Sequence, residues 1–441
     1  MKKPFLSIQR QSFALALTLT AIAWSLLVVP STAAEDKAPA WRPQLVENAR
    51  VHGRTVLLYE HDCLEQWGYT EPRRDYFYVV LPEKYQESPP LLVLLHSAGG
   101  SGEKEMGPNV QRVIDAGPEF AGLIPNAAPS KQPDWWWGAR LIKKHPKKYR
   151  NMLTPAENRV LATIGWVANK RHVDRNRIYL NGISMGGSGT LGLGMCHGDI
   201  FAAICAKVPA GADHVMHRMD LPRPPVADAA NDERQAYLRR VSRVGKPDAP
   251  PLLTFSSQLD KWSKGQESFM KTLHDGRHAV VFTWGPWGHK NVYEKYHRAA
   301  YEFPWLAIRK DTAYPVFTNA STDDRYPGHL SREPDQQGQV NALFRWKTFE
   351  DTPNRFAVEL RLVQAEELTE PIELPKESTV DVTLRRLQRF KVDRAAEYAW
   401  QLVRQGVSAA SGTTRPDAAG LLTVPQLKIT DVPAKLMLWP R

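Results

Sequence analysis

The stretch Arg177-Ile-Tyr-Leu-Asn-Gly-Ile-Ser-Met-Gly-Gly187 contains a buried strand, a sharp turn and the start of a helix. Ser184 lies on the turn of a G-x-S-x-G pattern. Gly182 and Gly186 are small there because a Cβ at either position would collide with the neighbouring strand or helix. The strained turn lifts the hydroxyl clear of the sheet. The pattern therefore predicts that Ser184 is a nucleophile at the end of a strand.

Two backbone segments are candidates for an oxyanion hole. Met185 follows the nucleophile at a helix start, where free N–H groups and the positive end of the helix dipole face the serine. The apolar run from Pro89 to His96 predicts a strand covered on both faces, and the loop after it begins with Ser97 and Ala98. We expect the Met185 N–H and one N–H from Ser97 or Ala98 to bind an oxyanion.

A serine nucleophile needs a base, and the base needs a carboxylate. In the chain order Ser, acid, His, the candidates are Asp260, after the predicted strand Leu252 to Ser256, and His289, after the predicted strand that ends at Trp284. Asp275 and Asp228 are alternative acids. The alternative bases lie in predicted helices, strands or an insertion and are His197, His214, His217, His274 and His278.

The pattern of strands and helices predicts an α/β fold between residues 51 and 310. Apolar strands alternate with helical segments there, which favours a mostly parallel sheet covered on both faces, with an antiparallel edge formed by residues 54–59 and 75–81. Residues 35–50 are interpreted as a polar lead-in. Residues 209–251 are rich in charge and proline and are too long for a simple connection, so they are a candidate lid.

The C-terminal part has a different pattern. Residues 311–328 are interpreted as a linker, and residues 329–441 alternate apolar and polar side chains with a period of two. This alternation predicts a separate antiparallel β-sandwich-like domain.

The N-terminal segment of the chain indicates where the protein is located. Residues 1–34 have a basic start, an apolar run and a small-residue cleavage site, which predicts a signal peptide and export to the periplasm or medium; an uncleaved membrane anchor is the alternative.

The net charge is +11, and six Lys or Arg lie within residues 140–150. This segment is either a solvated basic loop or a patch for anionic polysaccharide or lipid head groups. A nucleic-acid partner is not expected, because no binding motif accompanies the charge.

Cofactor and metal motifs are absent from the sequence. Gly187-Ser-Gly-Thr-Leu-Gly192 matches a dinucleotide-binding pattern, but it does not follow the first strand of the chain and no acidic residue closes the next one. The three cysteines, Cys63, Cys196 and Cys205, lack zinc-site spacing and allow one disulfide at most. We expect neither a cofactor nor a metal.

Several tryptophans lie close in sequence to the candidate site. Trp135, Trp136 and Trp137 are consecutive, while Trp262 and Trp287 flank the candidate acid and base. Flat aromatic faces stack on sugar rings and aromatic acyl groups, so Trp136, Trp262 and Trp287 are candidate substrate-binding residues. Burial of two of the three consecutive tryptophans beneath the insertion is the alternative.

Residues 173–187 resemble the elbow region of the α/β-hydrolase superfamily, and within it that of secreted esterases such as polyhydroxybutyrate depolymerases and feruloyl or acetylxylan esterases. The resemblance covers about residues 54–308. It implies Ser184 as nucleophile, Asp260 as acid, His289 as base and an oxyanion hole at Met185 and the Ser97 region. It implies a serine carboxylesterase, with a polysaccharide ester or a polyester as the candidate substrate. A peptidase of the same fold and a non-catalytic glycan-binding protein are the alternatives.

Overall fold

The computed structural model describes residues 41–84, 86–127, 136–137, 139–149, 152–226, 228–242, 248–289, 295–330 and 337–441. The predicted signal peptide, residues 1–34, lies outside these residues, and so does Trp135. Residues 42–441 form one compact unit. Across the described ranges, no helix is both long and apolar enough to cross a membrane.

Ten strands among the described residues form one large sheet. In chain order they are β1 (Gln44–Val51), β2 (Arg54–Asp62), β3 (Arg74–Val80), β4 (Leu91–Leu95), β5 (Ala121–Pro125), β6 (Ile178–Ile183), β7 (Ala203–Lys207), β8 (Leu252–Ser257), β9 (Val280–Gly285) and β11 (Gly338–Val340), whereas β10 (Tyr314–Thr318) belongs to another sheet. Their order across the sheet is β1-β2-β3-β5-β4-β6-β7-β8-β9-β11.

The strand directions match the predicted fold class. Strands β5, β4, β6, β7, β8 and β9 are parallel to their neighbours within this group. The predicted antiparallel pair β2 and β3 is present, but β1 and not β2 is the edge strand. All residues of β4, β6, β8 and β9 are buried, as expected for strands covered on both faces. This is the α/β-hydrolase fold. The prediction of a polar lead-in at 35–50 is wrong for Gln44 to Arg50, because β1 pairs with β2.

Nine helices are described, and the longer ones occupy the connections between the parallel strands. They are α1 (Met106–Ala116), α2 (Ala139–Lys144), α3 (Pro146–Tyr149), α4 (Pro155–Lys170), α5 (Met185–Gly194), α6 (Ala212–Arg218), α7 (Asn231–Val241), α8 (Gln266–Asp275) and α9 (Arg298–Tyr301). The predicted insertion, 209–251, contains α6 and α7 in its described part.

The C-terminal strands form two antiparallel sheets, which confirms the β-sandwich-like region. The remaining strands are β12 (Phe344–Thr352), β13 (Arg355–Leu362), β14 (Glu377–Arg385), β15 (Tyr398–Arg404), β16 (Val407–Thr414), β17 (Thr423–Thr430) and β18 (Ala434–Pro440). One sheet has the order β10-β14-β17 and the other β12-β13-β18-β15-β16. Buried side chains from both sheets pack together in one cluster.

The predicted linker at 311–328 is wrong for Tyr314 to Thr318. These residues form the fully buried strand β10, which pairs with β14, and the short strand β11 then returns to the large sheet beside β9. The cluster that fills the sandwich also contains Phe255 and Val281 from the large sheet. The large sheet and the C-terminal sheets therefore share this apolar core.

Candidate active site

The turn between β6 and α5 has the geometry that the glycine pattern predicts. A Cβ on Gly182 would lie 2.3 Å from the Gly186 carbonyl oxygen, and a Cβ on Gly186 would lie 2.0 Å from the Leu95 carbonyl oxygen. Ser184 has φ 57° and ψ −117°, a region that non-glycine residues rarely adopt. Its backbone N–H donates to the Lys207 carbonyl at 3.0 Å, which helps to hold this strained conformation.

The three residues predicted as nucleophile, acid and base lie in one hydrogen-bonded chain. Ser184 Oγ is 2.7 Å from His289 Nε2, and His289 Nδ1 is 2.5 Å from Asp260 Oδ2. Asp260 is buried, whereas the His289 side chain is 35% exposed. Because the carboxylate can only accept, Nδ1 carries the proton and the Nε2 lone pair faces the serine hydroxyl.

The carboxylate of Asp260 has a partner at each oxygen. While Oδ2 faces His289, Oδ1 accepts from the Trp262 backbone N–H at 2.9 Å, so Asp260 also caps the short helix Lys261–Ser263. The alternative acid Asp275 bonds instead to Tyr237 and Lys271. Among the alternative bases, His278 is buried and bonds to the Val241 carbonyl. Neither alternative touches Ser184.

Only one of the two predicted donors in the loop after β4 has a free N–H. The Ser97 N–H donates to Glu105 Oε1 at 2.9 Å, so it is not free for a substrate oxygen. Ala98, the next residue, is exposed, and its N–H has no partner in the described part of the chain. The N–H of Met185 is the first of helix α5 and has no acceptor within the helix. Met185 and Ala98 are therefore the available pair.

His96 holds this loop in place. Its Nδ1–H donates to the Ser97 carbonyl at 2.9 Å, and its Nε2 accepts from the Ala127 N–H at 3.0 Å. Burial lowers the pKa of His96, which favours the neutral ring that this pattern requires. The Ser97 hydroxyl also donates to the Ile183 carbonyl at 3.3 Å, which links the loop to the residue before Ser184. No sequence pattern distinguishes His96 and Glu105, because their role depends on contacts with backbone groups.

Trp136 is not a substrate-binding residue, and this prediction is wrong. Trp136 and Trp137 are 0% and 1% exposed. Their rings occupy the space left by glycines of α5, since a Cβ on Gly189 would lie 2.5 Å from Trp136 and a Cβ on Gly192 would lie 2.2 Å from Trp137. Trp136 Nε1 also donates to the His96 carbonyl at 3.0 Å. Trp136 therefore supports the loop that carries Ala98.

Trp262 and Trp287 differ in exposure. The Trp262 side chain is 46% exposed, its ring lies edge-on to His289 with 6.5 Å between centroids, and Lys261 Nζ lies 5.7 Å from its ring centroid. Trp287 is half-buried and packs edge-on against Tyr296 at 4.8 Å. Trp262 offers an aromatic surface beside His289. Substrate contacts at Trp262 and at Trp287 stay predictions.

Both described helices of the insertion at 209–251, α6 and α7, form polar contacts with the rest of the molecule. The Ala210 N–H donates to Ser188 Oγ, which itself donates to the Ser184 carbonyl at 3.1 Å. Arg218 of α6 forms an ion pair with the buried Glu157 of α4. The hydroxyl of Tyr237 in α7 donates to Asp275 of α8. A lid function of the insertion stays a prediction.

The cysteines and the metal-binding side chains add no further site. Cys63, Cys196 and Cys205 are free thiols, and burial raises the pKa of Cys196 and of Cys205 to about 11. Within the described ranges, no group of three or more His, Cys, Asp or Glu side chains is arranged to hold a metal ion.

Comparison with known proteins gives matches among solved structures alone. No protein-family model matches the chain, and no curated protein does. The matching structures include an S-formylglutathione hydrolase from Staphylococcus aureus (18% identity, TM-score 0.38, 60% of this chain and 99% of that one) and a ferulic acid esterase (17%, 0.37, 57% and 98%). An acetyl xylan esterase from Aspergillus awamori matches at 13% identity with a TM-score of 0.34, over 52% of this chain and 93% of that one.

These matches are α/β-hydrolase esterases. Their TM-scores, 0.34 to 0.38, are too low for the likeness to assign an activity or a substrate to this chain.

Proposed function

We propose that this protein is a serine hydrolase that cleaves carboxylic esters through an acyl-enzyme intermediate. The observation that carries the proposal is the hydrogen-bonded chain from Ser184 through His289 to Asp260 at a strained strand-to-helix turn. A serine hydroxyl with an imidazole lone pair at 2.7 Å, and a carboxylate behind that imidazole, is the arrangement that makes serine nucleophilic.

The first half-reaction uses all three side chains. Ser184 Oγ attacks the ester carbonyl carbon while its proton moves to His289 Nε2, and Asp260 stabilises the imidazolium that results. The carbonyl oxygen becomes an oxyanion and accepts hydrogen bonds from the N–H groups of Met185 and Ala98. His289 then donates its proton to the leaving alcohol as the C–O bond breaks, and the acyl group remains on Ser184.

The second half-reaction regenerates the enzyme. His289, neutral again, takes a proton from a water molecule, and the hydroxide oxygen attacks the acyl carbon. The same two N–H groups bind the second oxyanion. Its collapse expels Ser184 Oγ, which recovers its proton from His289, and a carboxylic acid leaves.

Hydrolysis of p-nitrophenyl acetate, together with labelling by a fluorophosphonate, tests the proposal. Ser184→Ala and His289→Ala should each lose about 10⁴-fold or more in kcat/KM, and Asp260→Asn somewhat less, because the three residues act as a unit. Exposed Ser408 and His145 provide matched controls, since Ser408→Ala and His145→Ala should retain activity. Labelling that persists in Ser184→Ala, or full activity after His289→Ala, would contradict the assignment.

The bond type needs a separate assay, since a peptidase of this fold would use the same three residues. We expect the purified protein to hydrolyse short p-nitrophenyl esters and to leave aminoacyl p-nitroanilides intact. Anilide hydrolysis at a comparable kcat/KM would favour the peptidase. No turnover of either substrate would favour the glycan-binding protein.

We further propose that the protein is exported and that its ester is carried by an anionic polysaccharide. Export rests on the sequence of residues 1–34. The anionic substrate rests on Lys261 beside the exposed ring of Trp262 and on the exposed lysines Lys144, Lys147 and Lys148 of the basic segment. Hydrolysis of acetylated or feruloylated uronate oligosaccharides should exceed that of neutral xylo-oligosaccharides and should lose its preference in Lys261→Ala. Equal rates on both would contradict the anionic substrate.

A further inference from the structure

A cleft whose lining does not include Ser184, Asp260 or His289 lies between β12, β13 and the chain that leads into β10. Its volume is about 340 Å³. Phe303, Ile308 and Trp346 contribute apolar surface to its walls. Four cations, Arg309, Arg345, Lys347 and Arg361, also line the cleft, together with one acidic residue, Glu367. The cleft is therefore lined by both apolar and cationic side chains.

Two of these cations already have counter-ions. Arg361 forms an ion pair with both carboxylate oxygens of Glu367. The Arg309 guanidinium bonds to Asp311 at 2.8 Å and to Asp174 at 3.0 Å. These partners neutralise Arg309 and Arg361, so neither guanidinium is expected to be the principal ligand of a further anion.

Arg345 has no counter-ion among the described residues. Its guanidinium donates to the carbonyls of Ala342 at 2.8 Å, Phe344 at 2.9 Å and Ala299 at 3.2 Å, and no carboxylate lies within ion-pair distance. A guanidinium has five N–H donors, so two of them have no protein acceptor there. Arg345 is nevertheless buried, with only 5% of its surface exposed. Buried charges are ordinarily paired, because removal from water is costly without an opposite charge.

Lys347 also lines the cleft without an ion pair. Its ammonium lies 5.2 Å from the centroid of the Phe349 ring, and the described residues place no carboxylate within salt-bridge distance of it. Burial lowers the pKa of Arg345 to about 10, which leaves this residue charged at neutral pH. Two unpaired cations therefore border the same apolar space.

We propose that this cleft binds an organic carboxylate, with the carboxylate held by Arg345 and Lys347 and an apolar body against Phe303, Ile308 and Trp346. A carboxylate matches the two free donors of a guanidinium in a planar, bidentate arrangement. The apolar walls favour a ligand with a hydrocarbon or aromatic body over an inorganic anion. None of the lining residues belongs to the proposed catalytic site, so the inference does not depend on ester hydrolysis.

Calorimetric titration of the protein with 3-phenylpropionate, 3-phenylpropanamide and inorganic sulfate tests this site. Each titration uses the wild type and the Ser184→Ala variant, because the variant cannot hydrolyse the amide during the titration. We expect 3-phenylpropionate to bind both proteins alike and more tightly than either the neutral amide or sulfate. Equal binding of acid and amide, sulfate binding as tight as the acid, or no binding at all would overturn the proposal.

Substitutions in the cleft test whether 3-phenylpropionate binds there. Lys347→Ala should weaken 3-phenylpropionate about tenfold, and Arg345→Lys by more than that, because a lysine cannot make the bidentate contact. Lys435→Ala is a matched control, because Lys435 lies 5.7 Å from the same Phe349 ring but does not line the cleft. Its affinity should equal that of the wild type. Unchanged affinity in both Lys347→Ala and Arg345→Lys, or an equal loss in Lys435→Ala, would contradict the assignment of the site.

Discussion

Glu105 Oε1 accepts a hydrogen bond from the Ser97 backbone N–H at 2.9 Å. Glu105 precedes helix α1 and lies in the loop that begins at Ser97, so the contact closes this loop on itself. A Cβ on Gly100 would lie 2.3 Å from Glu105 Oε1, which shows how tightly the loop surrounds the carboxylate. The carboxylate occupies one predicted oxyanion donor and thereby fixes the position of the next, Ala98.

Loss of the Glu105 carboxylate should therefore lower turnover without a comparable change in KM. We expect Glu105→Ala to reduce kcat on p-nitrophenyl acetate about 10-fold to 100-fold, because a displaced oxyanion donor costs up to about 10³-fold. Glu105→Gln keeps an acceptor oxygen and should stay within a few fold of the wild type. Steady-state kinetics of the two variants checks this. Equal kcat in Glu105→Ala and the wild type would show that Ser97 and Glu105 do not position the donor.

Alanine variants of Trp136 and Trp262 should differ in stability, because the first residue has a structural role and the second is a candidate substrate contact. Trp136 is fully buried against Gly189, so Trp136→Ala should lower the free energy of unfolding by about 3 to 5 kcal/mol. Trp262 is 46% exposed, so Trp262→Ala should leave stability within about 0.5 kcal/mol of the wild type. Urea unfolding of both variants measures this.

The two variants should also differ in substrate dependence. Trp262→Ala should raise KM more for a feruloyl ester than for an acetyl ester, because an aromatic acyl group loses its stacking partner. Trp136→Ala should lower activity on both esters by the same factor. A uniform loss in Trp262→Ala would remove the support for a substrate contact there.

The shared core predicts that the chain cannot be divided at residue 310. A protein that stops there lacks β11, which pairs with β9, and exposes core side chains such as Phe255, Val281 and Phe303. Exposure of each buried large apolar side chain to water destabilises the fold by about 1.5 to 3 kcal/mol. We expect this shortened protein to aggregate and to show no esterase activity, whereas the full chain should remain in solution and be active. A soluble, active product on gel filtration would mean that the two regions fold independently.

The sequence was sufficient to predict the parts of the molecule that local chemistry specifies. The glycines around Ser184 are required by contacts of 2.3 Å and 2.0 Å with backbone atoms, and such contacts leave a fixed pattern in the sequence. Asp260 and His289 could be predicted from their positions after buried strands. Their separation along the chain does not matter, because the carboxyl ends of parallel strands lie at one edge of the sheet.

The parts that were missed depend on contacts between distant segments. β1 is mostly exposed and polar, so it has no apolar alternation, and its pairing with β2 alone makes it a strand. β10 contains Pro315, which argues against a strand, yet β10 is an edge strand of its sheet, where proline is tolerated. Gly189 and Gly192, three residues apart on α5, were the available signal that Trp136 and Trp137 are buried.

The ionisation of Asp323 should make the free energy of unfolding depend on pH. Its Oδ1 accepts from the Asn341 N–H at 2.8 Å, and burial raises the pKa of this carboxyl from its ordinary 3.8 to about 6. The folded state therefore binds this proton more tightly than the unfolded chain does, so the contribution of Asp323 to stability is greatest below pH 4 and falls as the pH rises through about 6. Above that pH the charged, desolvated carboxylate destabilises the fold by at most about 3 kcal/mol.

Asp323→Asn should remove this penalty, since an amide oxygen can accept the same hydrogen bond without a charge. We expect the variant to be more stable than the wild type by up to about 3 kcal/mol at pH 8 and by about half as much at pH 5. Urea unfolding at the two pH values measures the difference. The adjacent exposed Asp324 provides the control, because Asp324→Asn should not reproduce the pH-dependent gain. If Asp323→Asn gained the same stability at both pH values, the gain would come from packing and not from the ionisation of Asp323.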